Sequence, residues 1–157
     1  MALTLARFCS LFFVALTFVP SGAHLLELPN KIGLARDNYL VVQQIYSGWA
    51  MLGVVVFGAL LSTLALTVLT RRRRGEFGLA CSGFLCVSTA HLIFWIYTFP
   101  ANQATRNWTT LPDGWERLRA QWEYSHAAGA LLNLAALVLL ILCLLAAVRT
   151  AQRSGRS

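Results

Sequence analysis

Four long stretches of the chain contain no charged residue, and each is rich in Leu, Val, Phe and Ala. They cover residues 8–26, 38–70, 77–105 and 124–148 of the 157. A hydrocarbon core about 30 Å thick is spanned by roughly 20 apolar residues in a helix, and each stretch contains such a run. A soluble domain of this length would show amphipathic stripes with charges between them. The pattern therefore predicts an integral membrane protein.

The predicted fold class is all-α, a single four-helix transmembrane domain over residues 1–157. The predicted spans are residues 6–27, 46–70, 78–99 and 124–148. Ahead of the last span, Trp115, Leu118 and Trp122 recur three or four residues apart, which is the spacing of one helix face. This periodicity runs into the fourth span without a break. We therefore expect the fourth helix to extend beyond the membrane on the extracytoplasmic side.

The second span also has a periodic segment in front of it. Tyr39, Gln43 and Tyr46 recur at helical spacing, so this span is expected to begin as an extramembrane helix. After the third span, Asp113 is placed to cap a helix whose first turn includes Glu116. Both connections therefore carry structure of their own.

Basic residues are divided unequally between the two ends of the spans. One end has a single acid, Glu76, against eight basic residues: Arg7, Arg71, Arg72, Arg73, Arg74, Arg149, Arg153 and Arg156. The other end has as many acidic as basic residues, so the whole net charge of +7 lies at one end. Lys and Arg near span ends are retained in the cytoplasm. Both termini are therefore predicted to be cytoplasmic, and the positive charge indicates membrane anchoring rather than a nucleic-acid partner.

The first span has a competing interpretation. Arg7, the apolar run 8–19 and the small residues of 20–23 resemble a signal peptide, and cleavage there would leave three spans. The apolar character continues through residues 25–28, however, which makes a span of normal length. We expect the first span to be retained in the bundle.

Three histidines carry the main chemical signal. His24 ends the first span and His126 begins the fourth, while His91 lies about 12 Å below the same membrane surface. Two of them have a carboxylate one turn away, Glu27 beside His24 and Glu123 beside His126. Glu-x-x-His pairs on facing helices supply metal ligands in other helical bundles. The sequence predicts that the histidines meet in the outer half of the bundle, with His24, Glu27, His91 and His126 as candidate metal ligands.

Polar residues at helical spacing extend these faces towards the middle of the membrane. Ser10, Thr17 and Ser21 do so along the first span, and Asn133 does so along the fourth. Polar groups in hydrocarbon tend to face a bundle interior or a cavity, which favours a polar pocket. The inert alternative is that the histidines are wetted at the interface and that Ser and Thr bond to their own helix carbonyls.

Three short motifs resemble a known family. Phe99-Pro100-x-Asn102, Trp122-x3-His126 and His24-x2-Glu27-x-Pro29 are similar to segments of the small four-span membrane family of unknown function that includes the fungal anthrone oxygenases. The family often has Arg three residues after the last histidine, where this chain has Gly129. The resemblance implies that Asn102, Trp122 and His126 are pocket residues.

Two classes of function follow. The first is an oxygenase or other oxidoreductase that acts on a lipophilic aromatic substrate, with His126 as the catalytic base, oriented by Glu123. In it Asn102, Trp122 and His91 bind the substrate. The second is a non-catalytic small membrane protein, such as a complex subunit, a chaperone or a carrier of a small solute. The residues leave open whether the cofactor is none, a metal or a haem, and the expected location is the bacterial cytoplasmic membrane.

Overall fold

The computed structural model describes residues 1–154, and these are almost entirely helical. Arg156, one of the basic residues in the charge prediction, lies outside the described range. The six α-helices are α1 Ala2–Lys31, α2 Arg36–Gln43, α3 Gly53–Thr70, α4 Arg74–Ile93, α5 Phe99–Ala104 and α6 Trp115–Ser154. Two short 3-10 helices, Gln44–Tyr46 and Trp49–Leu52, precede α3, and a π-helical turn at Phe94–Thr98 joins α4 to α5. The described residues contain no β-strand, which confirms the all-α class.

Four helical segments are long and apolar enough to cross a membrane. They are Ala2–Lys31, Trp49–Thr70, Arg74–Ala104 and Trp115–Thr150. The chain is therefore a multi-pass membrane protein, as predicted. The 40 residues of α6 give a length of roughly 60 Å, about twice the hydrocarbon thickness. The fourth helix therefore continues well beyond the membrane.

The four long helices form an up-and-down bundle in which α1 packs against α3 and α6, and α4 packs against the same two helices. Small residues line the contacts, including the fully buried Ala59, Ala80 and Ala136. At Gly58, an added Cβ would lie 2.6 Å from the Phe13 ring, so α1 and α3 approach closely there. Small residues allow such approach, which provides van der Waals packing where lipid removes the hydrophobic drive between helices.

Hydroxyl groups inside the bundle are satisfied by their own helices. Ser10, Thr17 and Thr63 each donate to the carbonyl four residues earlier, at 2.7, 2.9 and 2.6 Å. Ser21 does the same, and in addition accepts a 3.3 Å hydrogen bond from Asn133 on α6. The hydroxyl protons of the polar stripe of the first span are therefore already used by carbonyl groups of the same helix.

Three helical segments differ in extent from the predicted spans, and the third of them covers Arg74–Ala104 instead of residues 78–99. The first continues through Pro29 to Lys31, four residues beyond the predicted end at residue 27. The segment before the third helix is broken: α2 ends at Gln43, and Gly48 adopts a left-handed conformation with φ of +84°. Only glycine takes this conformation freely. This break separates Tyr46 from α3, and the extension of α1 carries Lys31 to within 2.7 Å of the Tyr46 hydroxyl.

The connection before α6 contains an unusual backbone. Arg106, Asn107 and Trp108 have φ values of +48°, +54° and +59° in succession. Left-handed conformation costs roughly 1–2 kcal/mol for each non-glycine residue. Hydrogen bonds hold the turn: the Asn107 amide donates to the Asn102 carbonyl, and the Trp108 amide donates to the Thr105 hydroxyl. The turn directs the Trp108 side chain inward, where it is buried.

Candidate functional site

The end of α1 and the beginning of α6 bring two histidines into contact. The ring centroids of His24 and His126 lie 4.2 Å apart, and we call these two residues the histidine pair. Around them lie the rings of Tyr46, Trp49 and Trp122, at 4.6, 5.6 and 5.0 Å from the His24 ring. The pair therefore sits in an aromatic surrounding at one end of the bundle.

A buried lysine lies next to the histidine pair. Lys31 is only 3% exposed, and its ammonium nitrogen is 3.1 Å from Glu123 Oε1 and 3.6 Å from Glu27 Oε2. The same nitrogen lies 4.4 Å from the centroid of the Tyr46 ring and 4.8 Å from that of Trp122. Cations are attracted to the faces of aromatic rings, most of all to Trp. Lys31 is thus held between two carboxylates, and we call Glu27, Lys31 and Glu123 the acid–lysine cluster.

Two tyrosines repeat one hydrogen-bond pattern at this cluster. Lys31 donates to the Tyr46 hydroxyl at 2.7 Å, and Tyr46 donates to Glu27. Gln43 donates to the Tyr39 hydroxyl, and Tyr39 donates to Glu123 at 2.9 Å. Each hydroxyl therefore accepts from a nitrogen and donates to a carboxylate.

Both tyrosines remain neutral donors in this environment. Burial raises the pKa of Tyr46 far above its ordinary value, and the hydrogen bond to Glu27 raises it further. Burial likewise raises the pKa of Tyr39, and the nearby Glu123 adds to the effect. Desolvation and a neighbouring negative charge both disfavour a phenolate.

Asn102 holds two tryptophans in place. Its Oδ1 accepts hydrogen bonds from the indole N–H of Trp122 at 2.8 Å and of Trp108 at 3.0 Å. The two indole rings are 5.8 Å apart. Asn102 and Trp122, both predicted as pocket residues, are therefore brought together, with Trp122 next to the histidine pair and Asn102 behind it.

The structure does not join Glu123 to His126. Both side chains of the predicted acid–base pair lie on the same side of α6, but Glu123, which is fully buried, turns to Lys31 and Tyr39. The contacts of His126 are with the rings of His24 and Trp122, each at a centroid distance of 4.2 Å. An ammonium is a stronger partner for a buried carboxylate than a neutral imidazole is. Glu123 thus belongs to the acid–lysine cluster.

His91 lies apart from the other two histidines. Its Nε2 accepts a 2.9 Å hydrogen bond from the indole of Trp95, and its other ring neighbours are Phe57 and Phe94. Trp95 is about half exposed, so this pair faces the surroundings of the bundle. Across residues 1–154 no three His, Cys, Asp or Glu side chains are grouped so that they could hold a metal ion. Of the predicted metal ligands, His24 and His126 are in ring contact and Glu27 is 3.9 Å from His24 Nδ1, whereas His91 has other ring neighbours.

Several buried polar atoms at the site lack a hydrogen-bond partner among the described residues. They are His24 Nδ1, Gln43 Oε1, Arg119 Nε and Glu123 Oε2. Most buried polar groups in folded proteins are paired, so such a concentration is unusual. The His24 Nδ1 atom is 3.9 Å from Glu27 Oε2, beyond hydrogen-bond distance.

Sequence reasoning missed the residues that complete the site. In the sequence, Lys31 and Arg119 are only two of the basic residues that balance the acids at this end. In the structure, Lys31 is at the centre of the cluster and the Arg119 guanidinium lies 4.6 Å from the Trp115 ring. One signal was present: Lys31 follows Glu27 by four residues and His24 by seven, which is one helix face. It required the helix to continue through Pro29, whereas the predicted first span ended at residue 27.

A groove of about 460 Å³ lies elsewhere, between the π-helical turn and α6. Its lining includes Tyr97, Arg117, Gln121 and Tyr124 but neither member of the histidine pair. The chemistry and this open groove are therefore on different faces of α6. At the histidine pair, the available groups are those that accept, hold and donate protons.

In comparisons with protein-family models, with curated proteins and with solved structures, nothing matches this chain.

Proposed function

We propose that this protein is an anthrone oxygenase-like enzyme that acts in the outer half of a bacterial cytoplasmic membrane. It removes a proton from a lipophilic aromatic substrate, and the resulting carbanion reacts with oxygen. The observation that carries the proposal is the contact of His24 and His126 beside a buried ammonium. Two imidazoles from different helices, in an aromatic setting at the membrane surface, provide a base where a hydrophobic substrate accumulates.

In this proposal His126 is the base. Its neighbours Trp122 and His24 are rings, so no carboxylate competes for its nitrogen atoms. A flat aromatic substrate stacks on the half-buried Tyr46 next to Trp122, and Asn102 fixes the Trp122 indole from behind. The Lys31 ammonium, 4.8 Å from the Trp122 ring, stabilises the negative charge that spreads to the substrate oxygen on deprotonation.

The reaction balances with oxygen as the only co-reactant. A methylene between two aromatic rings loses a proton to His126 and becomes a carbanion. The carbanion adds oxygen, and a proton from the imidazolium gives a hydroperoxide. Loss of the second carbon-bound hydrogen as a proton and cleavage of the O–O bond then give a ketone and water. The substrate carbon is oxidised, oxygen is reduced, and the base is regenerated.

A non-catalytic role is the second candidate, and the closure of the site favours it. Lys31, Trp122 and Glu123 are all at most 3% exposed, so the cluster is also suited to tie α1, α2 and α6 together. In that role the protein is a subunit, chaperone or carrier, and the histidines are structural.

Anthrone itself is the probe that tests the first proposal. We expect the purified protein in lipid nanodiscs to convert it to anthraquinone with one oxygen consumed per product, measured by absorbance and an oxygen electrode. His126→Ala is expected to lower the rate by about 100-fold or more. Gln103→Ala, an exposed change in α5 near the same end, serves as the control and is expected to keep the wild-type rate.

Two results would reject the enzyme and favour the non-catalytic role. One is a wild-type rate no higher than that of empty nanodiscs. The other is a rate for His126→Ala equal to that of wild type. Metal analysis and a visible absorption spectrum of the same sample distinguish a cofactor-free reaction from one that uses a metal or haem.

A further inference from the structure

Four unpartnered polar atoms mark the two ends of the acid–lysine cluster. Glu123 is 0%, Gln43 4% and His24 5% exposed, and each has a buried atom without a hydrogen bond among the described residues, as has Arg119 at Nε. An unsatisfied buried polar atom is costly, so these atoms indicate a small polar ligand. Three of them belong to side chains around Tyr39, and the fourth is in the histidine pair.

The three atoms around Tyr39 match the hydrogen-bonding capacity of one water molecule. The Tyr39 hydroxyl binds both Glu123 and Gln43, and the Arg119 guanidinium lies 5.5 Å from the Tyr39 ring. Arg119 Nε is a donor, whereas Glu123 Oε2 and Gln43 Oε1 are acceptors. A water can donate two hydrogen bonds and still accept one from Arg119, and buried waters typically make about three.

Between Tyr39 and the histidine pair the polar groups form an almost continuous chain. Lys31 Nζ is 3.1 Å from Glu123 Oε1 and 2.7 Å from the Tyr46 hydroxyl. Tyr46 donates to Glu27, and Glu27 Oε2 is 3.9 Å from His24 Nδ1. The one interval longer than a hydrogen bond lies at His24 Nδ1, the fourth unpartnered atom.

We propose that Arg119, Gln43 and Glu123 bind a water molecule, and that this water is the outer end of a proton relay to the histidine pair. The relay runs through the acid–lysine cluster and Tyr46. It rests on the proposed function for its purpose, which is to exchange the protons that the histidine pair takes up. Its path rests only on the contacts of these side chains.

The passage of one proton along the whole relay leaves the charge of every group in the acid–lysine cluster unchanged. Lys31 gives a proton to Glu123, which passes one to the bound water. Lys31 then takes the Tyr46 proton, and Tyr46 takes one from Glu27, which has received it from His24. At the end the ammonium and both carboxylates are unchanged, and one proton has moved from the histidine pair to water.

Histidine labelled with nitrogen-15 gives a test that needs no substrate. The exchange of the imidazole N–H protons of the histidine pair with solvent is measured by NMR in nanodiscs. Tyr46→Phe removes the central hydroxyl and Gln43→Leu removes a water ligand, so each is expected to slow exchange by about tenfold or more. Tyr124→Phe removes an exposed hydroxyl outside the relay and is the matched control.

Exchange at the wild-type rate in both relay variants would overturn the proposal, as would equal slowing in Tyr124→Phe. Thermal unfolding shows whether each variant is folded, and Gln43→Leu alone decides if Tyr46→Phe is not. The two proposals fail separately. If exchange is slow in the relay variants but the wild-type protein does not oxidise anthrone, the relay is supported and the proposed enzyme is rejected. If His126→Ala loses anthrone oxidation but exchange is unaltered in Tyr46→Phe, the enzyme is supported and the relay is rejected.

Discussion

The two ends of the bundle each hold a buried glutamate with a cation, and they differ in how completely these groups are paired. At one end, Glu76 binds Arg7 through one carboxylate oxygen and Arg73 through the other, the latter at 3.3 Å. At the other end, Lys31 is shared between Glu27 and Glu123. We call these the Glu76 end and the histidine end.

Pairing at the Glu76 end leaves neither carboxylate oxygen of Glu76 free. The Glu76 backbone carbonyl is used as well, since it accepts a 3.5 Å hydrogen bond from the Cys143 thiol. The histidine end leaves four buried polar atoms unpaired among the described residues. The Glu76 end has one such atom, Arg7 Nε, so pairing is more complete there. Local violations of pairing are typical of sites with chemistry. The contrast favours a structural role for the Glu76 end and supports the function proposed above for the histidine end.

The largest expected effect is an all-or-none one and concerns which end faces the cytoplasm. Because the net charge of +7 lies at the Glu76 end, reporters fused after Gly75 and after Ser157 are expected to be cytoplasmic. A reporter inserted near Asp113 is expected to be extracytoplasmic. A cytoplasmic signal at Asp113 would reverse the orientation and with it the position of the proposed site.

Removing the cation at each end of the bundle tests the roles of the two ends separately. Lys31→Met leaves two buried carboxylates without their ammonium, and we expect it to lower the free energy of unfolding by about 3–5 kcal/mol. Arg7→Met is expected to cost less, about 1–3 kcal/mol, because Arg73 still binds Glu76. Unfolding in mixed micelles with increasing denaturing detergent measures both.

The rate of anthrone oxidation provides the control for Lys31→Met and Arg7→Met. Arg7→Met is expected to keep anthrone oxidation, since no group of the Glu76 end is near the histidine pair. Equal losses of stability in the two variants, or a loss of turnover in Arg7→Met, would remove the distinction between the ends.

Asn102→Leu tests the support behind the histidine end. It leaves the indole N–H groups of Trp108 and Trp122 without an acceptor, so we expect a loss of about 1–3 kcal/mol for each N–H that stays buried. Trp fluorescence is expected to shift as the two rings move. Gln103→Ala removes an exposed amide from α5 and is expected to change neither quantity. An unaltered spectrum in Asn102→Leu would show that the tryptophans are held by packing alone.

The smallest effect is expected at His91. His91→Phe removes the hydrogen bond from Trp95 but keeps an aromatic ring beside Phe57, so we expect a change of about 0.5–1.5 kcal/mol in stability. Anthrone turnover is expected to stay within about twofold of wild type, because the ring contacts of His91 include neither His24 nor His126. A large loss of turnover would return His91 to the site, as the sequence predicted.

The membrane class of the protein and its long helices follow from the amino-acid sequence alone. Apolar runs longer than the bilayer is thick leave helical spans as the available structure, since every backbone group in lipid must be paired within the segment. The same local logic identified the extension of the last helix, because the periodicity of Trp115, Leu118 and Trp122 continues into the span. It also placed His24 and His126 at the same membrane surface.

Tertiary structure decided which of these polar residues meet. Depth in the membrane follows from position along a helix, but the direction of a side chain depends on helix rotation and packing. His91 and His126 come from the same half of the bundle, yet only His126 turns towards His24. Glu123 turned to Lys31 because the continuation of α1 through Pro29 brought an ammonium within 3.1 Å. A sequence gives the charges, whereas the electrostatic partner of each depends on distances that only the packed bundle sets.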